Sequence, residues 1–330
     1  MNTSIVPVHD DAYSCLEDLI YSLCVWKDND FHAMFASSWN FDLDPFDSKS
    51  PLSLAKRIGT GNKEWDKLLS IYHGVKISDQ QNRFSAKELL QRIKDRSLEL
   101  PLIIAFDYYY CPWSKEFYYK YHGGGGGLSH TILLSSIENE GFMCIDPLFS
   151  TNVEYLPFNH FIKGYEGYRT VSFTKNIYTE IDCNWLEVTR YGVNKSLTSK
   201  FFDQLTTLTK EISNLDLVLE SKGFEDRPGL SPIMYQLKLI GMGRKKFSKL
   251  LYRTYLQTRN EKFNILSKEV HKLGTDWDYL SNLMMKVFYT KHPERVLKKL
   301  VAKINEIRIQ EEDKLAEISS CISKNLISKG

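Results

Sequence analysis

The sequence predicts an α+β protein with two domains, because helical and strand-like patterns occupy different parts of the chain. An amphipathic helix near the start is followed by strand-like apolar runs at residues 100–113, 129–149 and 169–173. After about residue 180 only helical patterns remain. We therefore expect a first domain with an antiparallel sheet at residues 1–178 and an all-helical second domain at residues 179–330.

Composition and charge narrow the class of protein. The 330 residues are 42% hydrophobic and 25% charged, which is ordinary for a folded globular chain. The net charge is +2, but residues 1–180 carry 17 basic and 23 acidic side chains, whereas the remainder carries 26 and 18. This asymmetry predicts a basic surface on the second domain, and it is too mild to favour nucleic acid as the partner.

Neither an export signal nor a membrane span is expected from the sequence. The first residues reach two aspartates before any apolar run, and the strongest apolar run, LPLIIAF, is too short to cross a bilayer. The six cysteines form no CxxC pair, and no His or Cys residues have the spacing of metal ligands. We expect a cytoplasmic protein with free thiols and no bound metal or cofactor.

The stretch DAYSCLEDLIYSLCVW predicts a helix whose first residue is a cysteine. Ser14 and Glu17 fit a capping box, which makes Cys15 the first helical residue. An apolar stripe is expected to face inward, while Glu17, Asp18 and Tyr21 face outward. The positive end of the helix dipole favours the thiolate of Cys15, so this residue is the candidate nucleophile.

A predicted hairpin supplies the groups that a cysteine nucleophile needs. His130 opens a strand just after five consecutive glycines, which predict a flexible linker, and Asp146 ends the returning strand. A turn at ENEG, residues 138–141, brings both residues to the same end of the sheet. A base that holds the thiol proton and an acid that orients the base complete a Cys–His–Asp trio.

The second domain is predicted to contain four long helical segments, at residues 196–222, 232–258, 260–290 and 292–327. Residues 238–262 hold eight Lys or Arg side chains and one acid. Helical spacing predicts that four of the basic residues share an outer face, namely Lys245, Lys246, Lys249 and Arg253.

Several motifs carry a resemblance to a known family. The chain order Cys, His, Asp is that of papain-like cysteine enzymes, and YSCLEDLIYSL, FDYYYCPW…FYYKYH, SHTILLSSI and GFMCIDP resemble the N-terminal domain of the butirosin-biosynthesis BtrH family. RKKFSKLLYR and the helices around Trp277 are similar to the helical region that follows that domain in relatives. The resemblance covers most of the chain and implies a papain-like first domain.

The family implies an acyltransferase of natural-product biosynthesis, including nonribosomal peptide assembly. It would move an acyl, aminoacyl or peptidyl group from a thioester, held on the phosphopantetheine arm of a carrier protein, to a small amine acceptor. Cys15 matches the nucleophile, His130 the general base and Asp146 the orienting carboxylate. Papain-like peptidases place a Gln before the cysteine; here it is missing, so the Cys15 backbone N–H and His9 are the candidates for the oxyanion hole.

The remaining expected roles concern the pocket and the partner. The aromatic segments are expected to exclude water, with the pocket lined by Asp107, Tyr109, Cys111, Trp113 and His122. The basic face of the second domain is expected to dock an acidic carrier protein or to cover the acyl pocket.

Each of these expectations has a plainer alternative. Cys15 could fill a core, His130 could satisfy a strand end and Asp146 could cap a turn. Cys111 is the best rival thiol, and a basic helix is most often a solvated face. For function, the alternatives are a cysteine hydrolase acting as thioesterase, amidase or peptidase, and a noncatalytic protein that binds an acylated carrier.

Overall fold

The computed structural model describes residues 4–49, 51–60, 62–114, 129–174, 183–198 and 200–327. Contacts divide the chain into two compact units, one of Met1–Phe31 with Leu69–Asp182 and the other of His32–Leu68 with Cys183–Gly330. Residues 32–68, which fall inside the range predicted for the first domain, therefore group with the helical residues. Within that unit the Ser38 hydroxyl donates to the Gly243 carbonyl oxygen at 2.9 Å.

An antiparallel sheet forms the centre of the first unit, as the strand-like runs predict. The strands in the described residues are β1 (Phe41–Leu43), β2 (Ile58–Thr60), β3 (Val75–Ile77), β4 (Leu102–Asp107), β5 (Ser129–Glu138), β6 (Gly141–Ile145), β7 (Val153–Pro157) and β8 (Tyr165–Phe173). Six of them form one sheet in the order β3-β8-β4-β5-β6-β7, and every neighbouring pair is antiparallel. The other two, β1 and β2, pair as a ribbon in the second unit.

Helices cover both faces of the large sheet. The helices are α1 (Cys15–Trp26), α2 (Leu54–Arg57), α3 (Trp65–His73), α4 (Ala86–Lys94), α5 (Phe158–Gly164), α6 (Trp185–Thr198), α7 (Phe201–Ser213), α8 (Leu217–Glu220), α9 (Pro232–Thr258), α10 (Glu261–Tyr289) and α11 (Pro293–Ile327). Successive residues of a strand point to opposite faces. Leu133 of β5 packs with Leu19 of α1, whereas Ile132 packs with Leu89 of α4 and Phe161 of α5.

The hairpin of β5 and β6 turns where the sequence predicts it. Glu138 pairs with Gly141, so Asn139 and Glu140 form the turn, and Asn139 has the positive φ of 49° that such turns need. The pairing shifts by one residue between Leu134 and Ser136, which leaves Ser135 as a bulge. The Ser135 hydroxyl donates to the Met143 carbonyl oxygen at 2.9 Å and so ties the bulge to β6.

The second unit is helical from residue 185 onward, in agreement with the predicted class. The predicted helix at 232–258 has the observed bounds of α9, and α10 and α11 match their predictions to within one residue at each end. The segment predicted at 196–222 is instead divided among α6, α7 and α8. Among the described residues, no helix has both the length and the apolar character needed to cross a membrane.

Candidate active site

Cys15 is the first residue of α1, as the capping pattern predicts. The Ser14 backbone N–H donates to Glu17 Oε2 at 2.7 Å, and the Glu17 backbone N–H donates to Ser14 Oγ at 3.4 Å. This capping box makes Ser14 the N-cap and places Cys15 in the first turn of the helix, where the helix dipole stabilises an anion.

The expected outward face of α1 is wrong at two positions. Glu17 and Asp18 are buried, because the preceding chain lies across this side of the helix. The Val8 backbone N–H donates to Ser22 Oγ at 3.0 Å, and the Asp10 backbone N–H donates to Asp18 Oδ1 at 3.1 Å. Residues 8–10 thus form a strap over α1.

His130 and Asp146 are in direct contact at the end of β5 and β6. His130 Nε2 lies 2.9 Å from Asp146 Oδ1, and both side chains are buried. The register pairs Leu133 with Ile145, so the next residue of the returning strand, Asp146, lies opposite Ile132. Ile132 and His130 are two residues apart on β5, so Asp146 lies diagonal to His130 on the same face of the sheet. A carboxylate in this position fixes the orientation of the imidazole and stabilises its protonated form.

The Cys15 thiol interacts with His130, since a side-chain hydrogen bond with His130 is the largest of the contributions that lower the pKa of Cys15. Since Nε2 of the ring faces Asp146, the remaining nitrogen, Nδ1, is the one available to the sulfur. The three groups are therefore connected in the order thiol, imidazole, carboxylate. This is the geometry in which a base activates a nucleophile and a third group orients the base.

The electrostatics of this pair favour charge separation. Burial acts to raise the pKa of Cys15, but the hydrogen bond and charge of His130, with further help from Thr131, outweigh it and lower the pKa. Burial acts to lower the pKa of His130, but its contacts with Asp146 and Cys15 raise it to about 9. Both shifts favour the pair of a thiolate and an imidazolium over the neutral pair.

Trp113 contributes a contact that the sequence did not predict. Its indole Nε1–H donates to Asp146 Oδ2 at 2.8 Å, so both carboxylate oxygens of Asp146 have a partner. The sequence suggested Trp113 only as part of an aromatic wall.

Aromatic rings enclose His130. Phe149 lies edge-on to the imidazole with ring centroids 5.1 Å apart, and Tyr108 does so at 6.2 Å. Phe149 was not among the residues predicted from the sequence, although the Asp146-Pro147 pair just before it is typical of a turn. The Phe149 backbone N–H donates to the Asp146 carbonyl oxygen at 3.1 Å, and this turn returns the chain toward His130.

The other predicted pocket residues have mixed outcomes. Asp107 caps a 3-10 turn, because its Oδ1 accepts from the Tyr109 backbone N–H at 3.1 Å. Tyr109 is half-buried, with its ring 5.1 Å from that of Tyr110. Cys111 is fully buried, and burial raises the pKa of its thiol far above the usual range, so it does not rival Cys15. His122 and the glycine run lie outside the described residues.

His9, the side-chain candidate for the oxyanion hole, is held by two carboxylates. Its Nδ1 lies 2.7 Å from Asp18 Oδ2 and its Nε2 lies 3.2 Å from Asp11 Oδ1. Burial acts to lower the pKa of His9, but these contacts raise it above its ordinary value. Its oxyanion role stays a prediction, as does that of the Cys15 backbone N–H.

The basic residues of α9 do not form the exposed face that helical spacing predicts. Lys246 is only 8% exposed, and its Nζ lies 6.0 Å from the centre of the Phe35 ring. Lys245 is ion-paired with Asp278, and Arg253 Nε donates to His32 Nδ1 at 3.4 Å. Lys249 and Arg253 are half-buried. This side of α9 therefore packs against the apolar core of the second unit.

A search of the described ranges finds no group of three or more His, Cys, Asp or Glu side chains arranged to hold a metal ion. No family model matches the chain. Comparison with curated proteins likewise gives no match.

Proposed function

We propose that the chain is a cysteine-dependent acyltransferase that works through an acyl-Cys15 intermediate. The observation that carries the proposal is the contact of the Cys15 thiol with an imidazole that is itself held by the Asp146 carboxylate. A thiol of lowered pKa in contact with a proton donor is poised for attack on a thioester, because both the nucleophile and the proton for the leaving group are present.

The reaction has two halves. In the first, the Cys15 thiolate attacks the thioester carbonyl carbon, the bond from that carbon to the donor sulfur breaks, and the imidazolium of His130 gives its proton to the departing sulfur. In the second, an amine attacks acyl-Cys15, neutral His130 takes the amine proton, and the bond to Cys15 breaks to restore the thiolate. The first exchange is nearly isoenergetic, and the second is downhill because an amide is more stable than a thioester.

Asp146 and the aromatic rings have supporting roles in this scheme. Asp146 keeps the imidazole aligned while its charge changes between the two halves. Tyr108 and Phe149 shield His130 from water, and exclusion of water is what distinguishes transfer from hydrolysis. We propose the start of α1, at the backbone N–H of Cys15, as the site that stabilises the oxyanion.

The donor that we propose is a thioester on the phosphopantetheine arm of an acyl or peptidyl carrier protein, and the acceptor is a small amine. This choice derives from the motif resemblance. The papain-like assignment of the first unit is proposed on the same basis. It is supported by a helix with an N-terminal cysteine packed on an antiparallel sheet that carries His130 and Asp146.

The test is an intact-mass measurement with an acyl N-acetylcysteamine thioester, which mimics the end of the phosphopantetheine arm. We expect a single acyl adduct on Cys15 that is discharged by an added amine as the amide. Cys15→Ala abolishes the adduct, whereas Cys183→Ser, which removes the other half-exposed thiol, keeps it. Cys15→Ala changes stability little if the thiol is functional.

The alternatives give different outcomes in the same experiment. Rapid release of free acid without amine identifies a cysteine hydrolase. Absence of any adduct, together with binding of an acylated carrier protein that survives Cys15→Ala, identifies a noncatalytic binding protein. Either result overturns acyl transfer.

A further inference from the structure

The Asp146 carboxylate lies between two donors in a buried position. His130 Nε2 lies 2.9 Å from Oδ1, and the Trp113 indole nitrogen lies 2.8 Å from Oδ2, while Asp146 itself has no exposed surface. A buried carboxylate is costly unless both of its oxygens have partners. Trp113 therefore satisfies the half of the carboxylate that His130 does not reach.

Trp113 is itself held by a hydrogen-bonded loop. β4 ends at Asp107, and two 3-10 turns follow, Tyr108–Tyr110 and Pro112–Ser114. The buried Ser114 hydroxyl donates to the carbonyl oxygens of Tyr108 at 2.8 Å and Cys111 at 3.2 Å. These bonds tie both turns together, so the indole that contacts Asp146 is presented from a hydrogen-bonded backbone.

We propose that Trp113 is a positioning residue, whose indole N–H holds one oxygen of Asp146 so that the other stays on His130. The inference rests on the proposed function and adds a fourth member to its catalytic arrangement. The terminal torsion of an aspartate has a broad, shallow preference, so the carboxylate needs a second anchor to keep one orientation. The N–H of Trp113 is that anchor, and it also stabilises the negative charge on which the His130 imidazolium depends.

In the part of the chain that the structure describes, two thiols are the other titratable groups that interact with Asp146. The thiols of Cys111 and Cys144 are near enough to interact with its charge, but burial raises the pKa of both far above neutrality. Asp107 and Glu154 interact with those thiols in turn. Of these groups, His130 and Cys15 are the ones whose charges are coupled to each other and to the Asp146 contact.

The test measures alkylation of Cys15 by iodoacetamide as a function of pH, with the Cys15 peptide followed by mass spectrometry. This readout reports the thiolate directly and needs no knowledge of the natural substrate. Trp113→Phe keeps an aromatic ring but removes the donor. We expect the acid limb of its alkylation profile to move upward by about one pH unit, because a carboxylate that is no longer held on His130 stabilises the imidazolium less, and the Cys15 thiolate then loses its counter-charge.

Trp26→Phe is the matched control. Trp26 is half-buried at the opposite end of α1 and packs on Phe173, so the same substitution there leaves the limb in place. In a double-mutant cycle, Trp113→Phe has no further effect on the limb once Asp146→Ala is present. Thermal melts confirm that each variant is folded.

An unmoved limb in folded Trp113→Phe, or effects that add fully in the cycle, would overturn the positioning role. Neither result touches the proposed function, which stands or falls with the acyl adduct on wild-type Cys15. A wild-type thiol that ionises only at the ordinary value of a free cysteine overturns both.

Discussion

His130 and Asp146 lie on the same face of the sheet because Ser135, which lies between His130 and the turn, is accommodated as an unpaired bulge. If the pairing seen between the turn and Ser136 continued unchanged along the strands, Asp146 would lie opposite Leu133, on the face that packs against α1. The bulge shifts the register by one residue, so that Asp146 continues the ladder opposite Ile132. Since a one-residue slip reverses the face of every side chain, the bulge decides whether the acid reaches the imidazole.

Deleting Ser135 removes the bulge but keeps every pair of the ladder, because Leu134 and Ser136 become neighbours that still pair with Cys144 and Met143. We expect the Cys15 thiol of the deletion variant to keep its wild-type rate of alkylation near pH 6, because Asp146 stays opposite Ile132 and within reach of His130. The measurement is the rate of iodoacetamide labelling of the Cys15 peptide, with circular dichroism to verify the fold.

Ser135→Ala is the control for this deletion. It keeps the extra residue and loses only the hydrogen bond to the Met143 carbonyl oxygen. We expect a cost in unfolding free energy of about 1 kcal/mol and little change in thiol reactivity. A deletion variant that folds but labels Cys15 as slowly as a free cysteine would show that the pairing of β5 with β6 does not set the site.

The pH dependence should differ between acylation and alkylation. Acylation by a thioester uses the proton of His130, whose pKa is raised to about 9, so its rate falls as pH rises through that value. Alkylation needs only the thiolate and continues above it. Single-turnover acylation followed by intact mass, beside iodoacetamide labelling, compares the two profiles.

Asp146→Asn tests whether deprotonation of His130 causes this fall in the acylation rate at alkaline pH. Without the carboxylate charge the imidazolium is less stable, so the alkaline limb of acylation moves to lower pH. If acylation and alkylation have the same alkaline profile in the wild type, His130 is not the proton donor.

Much of the site could be predicted from local sequence signals. The capping box at Ser14 and Glu17 places Cys15 at the helix start because it depends on residues three positions apart. The β5–β6 turn at Asn139 is similarly local. The bulge at Ser135 is not, because either register buries apolar side chains on both faces and the alternation alone does not choose between them.

The errors arise where tertiary contacts change the exposure of a helix. Asp18 was expected in solvent because its position follows the polar stripe of α1, but the strap of residues 8–10 supplies backbone and imidazole partners that bury it. Lys246 was expected in solvent for the same reason, and it is buried beside Phe35. Periodicity identifies one buried face and gives no information about a second covering element.

The contact between His9 and Asp18 should stabilise the first unit more at acid than at alkaline pH. Burial raises the pKa of Asp18 to about 6, and the pKa of His9 is also raised. A group whose pKa is raised by folding stabilises the protein below its unfolded pKa, and this stabilisation is lost as pH rises through the folded value. We therefore expect Asp18→Asn to lower Tm more at about pH 5.5 than at about pH 8.5.

Asp11→Asn is the matched control, because Asp11 bonds the other ring nitrogen of His9 from a fully exposed position. We expect little change in Tm from it at either pH. A Tm difference for Asp18→Asn that grows with increasing pH would contradict the assignment.

The second unit contains a buried ion pair whose removal should be costly. Arg244 Nε and one terminal nitrogen each lie 2.8 Å from an oxygen of Glu311, and neither side chain is exposed. The indole N–H groups of Trp277, at 2.9 Å, and Trp39, at 3.3 Å, donate to the same carboxylate. Four donors therefore depend on one acid.

Glu311→Gln should lower the unfolding free energy by about 3 kcal/mol, because it leaves the Arg244 charge buried without an anion. An isolated buried ion pair can often be replaced by apolar residues without loss of stability. Here the double variant Arg244→Met, Glu311→Leu leaves two indole donors without an acceptor, so we expect that stability is not restored. Urea unfolding measures both variants, with Glu312→Gln, which breaks the half-exposed contact with Arg308, as the control. Wild-type stability in the double variant would mean that Trp39 and Trp277 do not depend on the carboxylate.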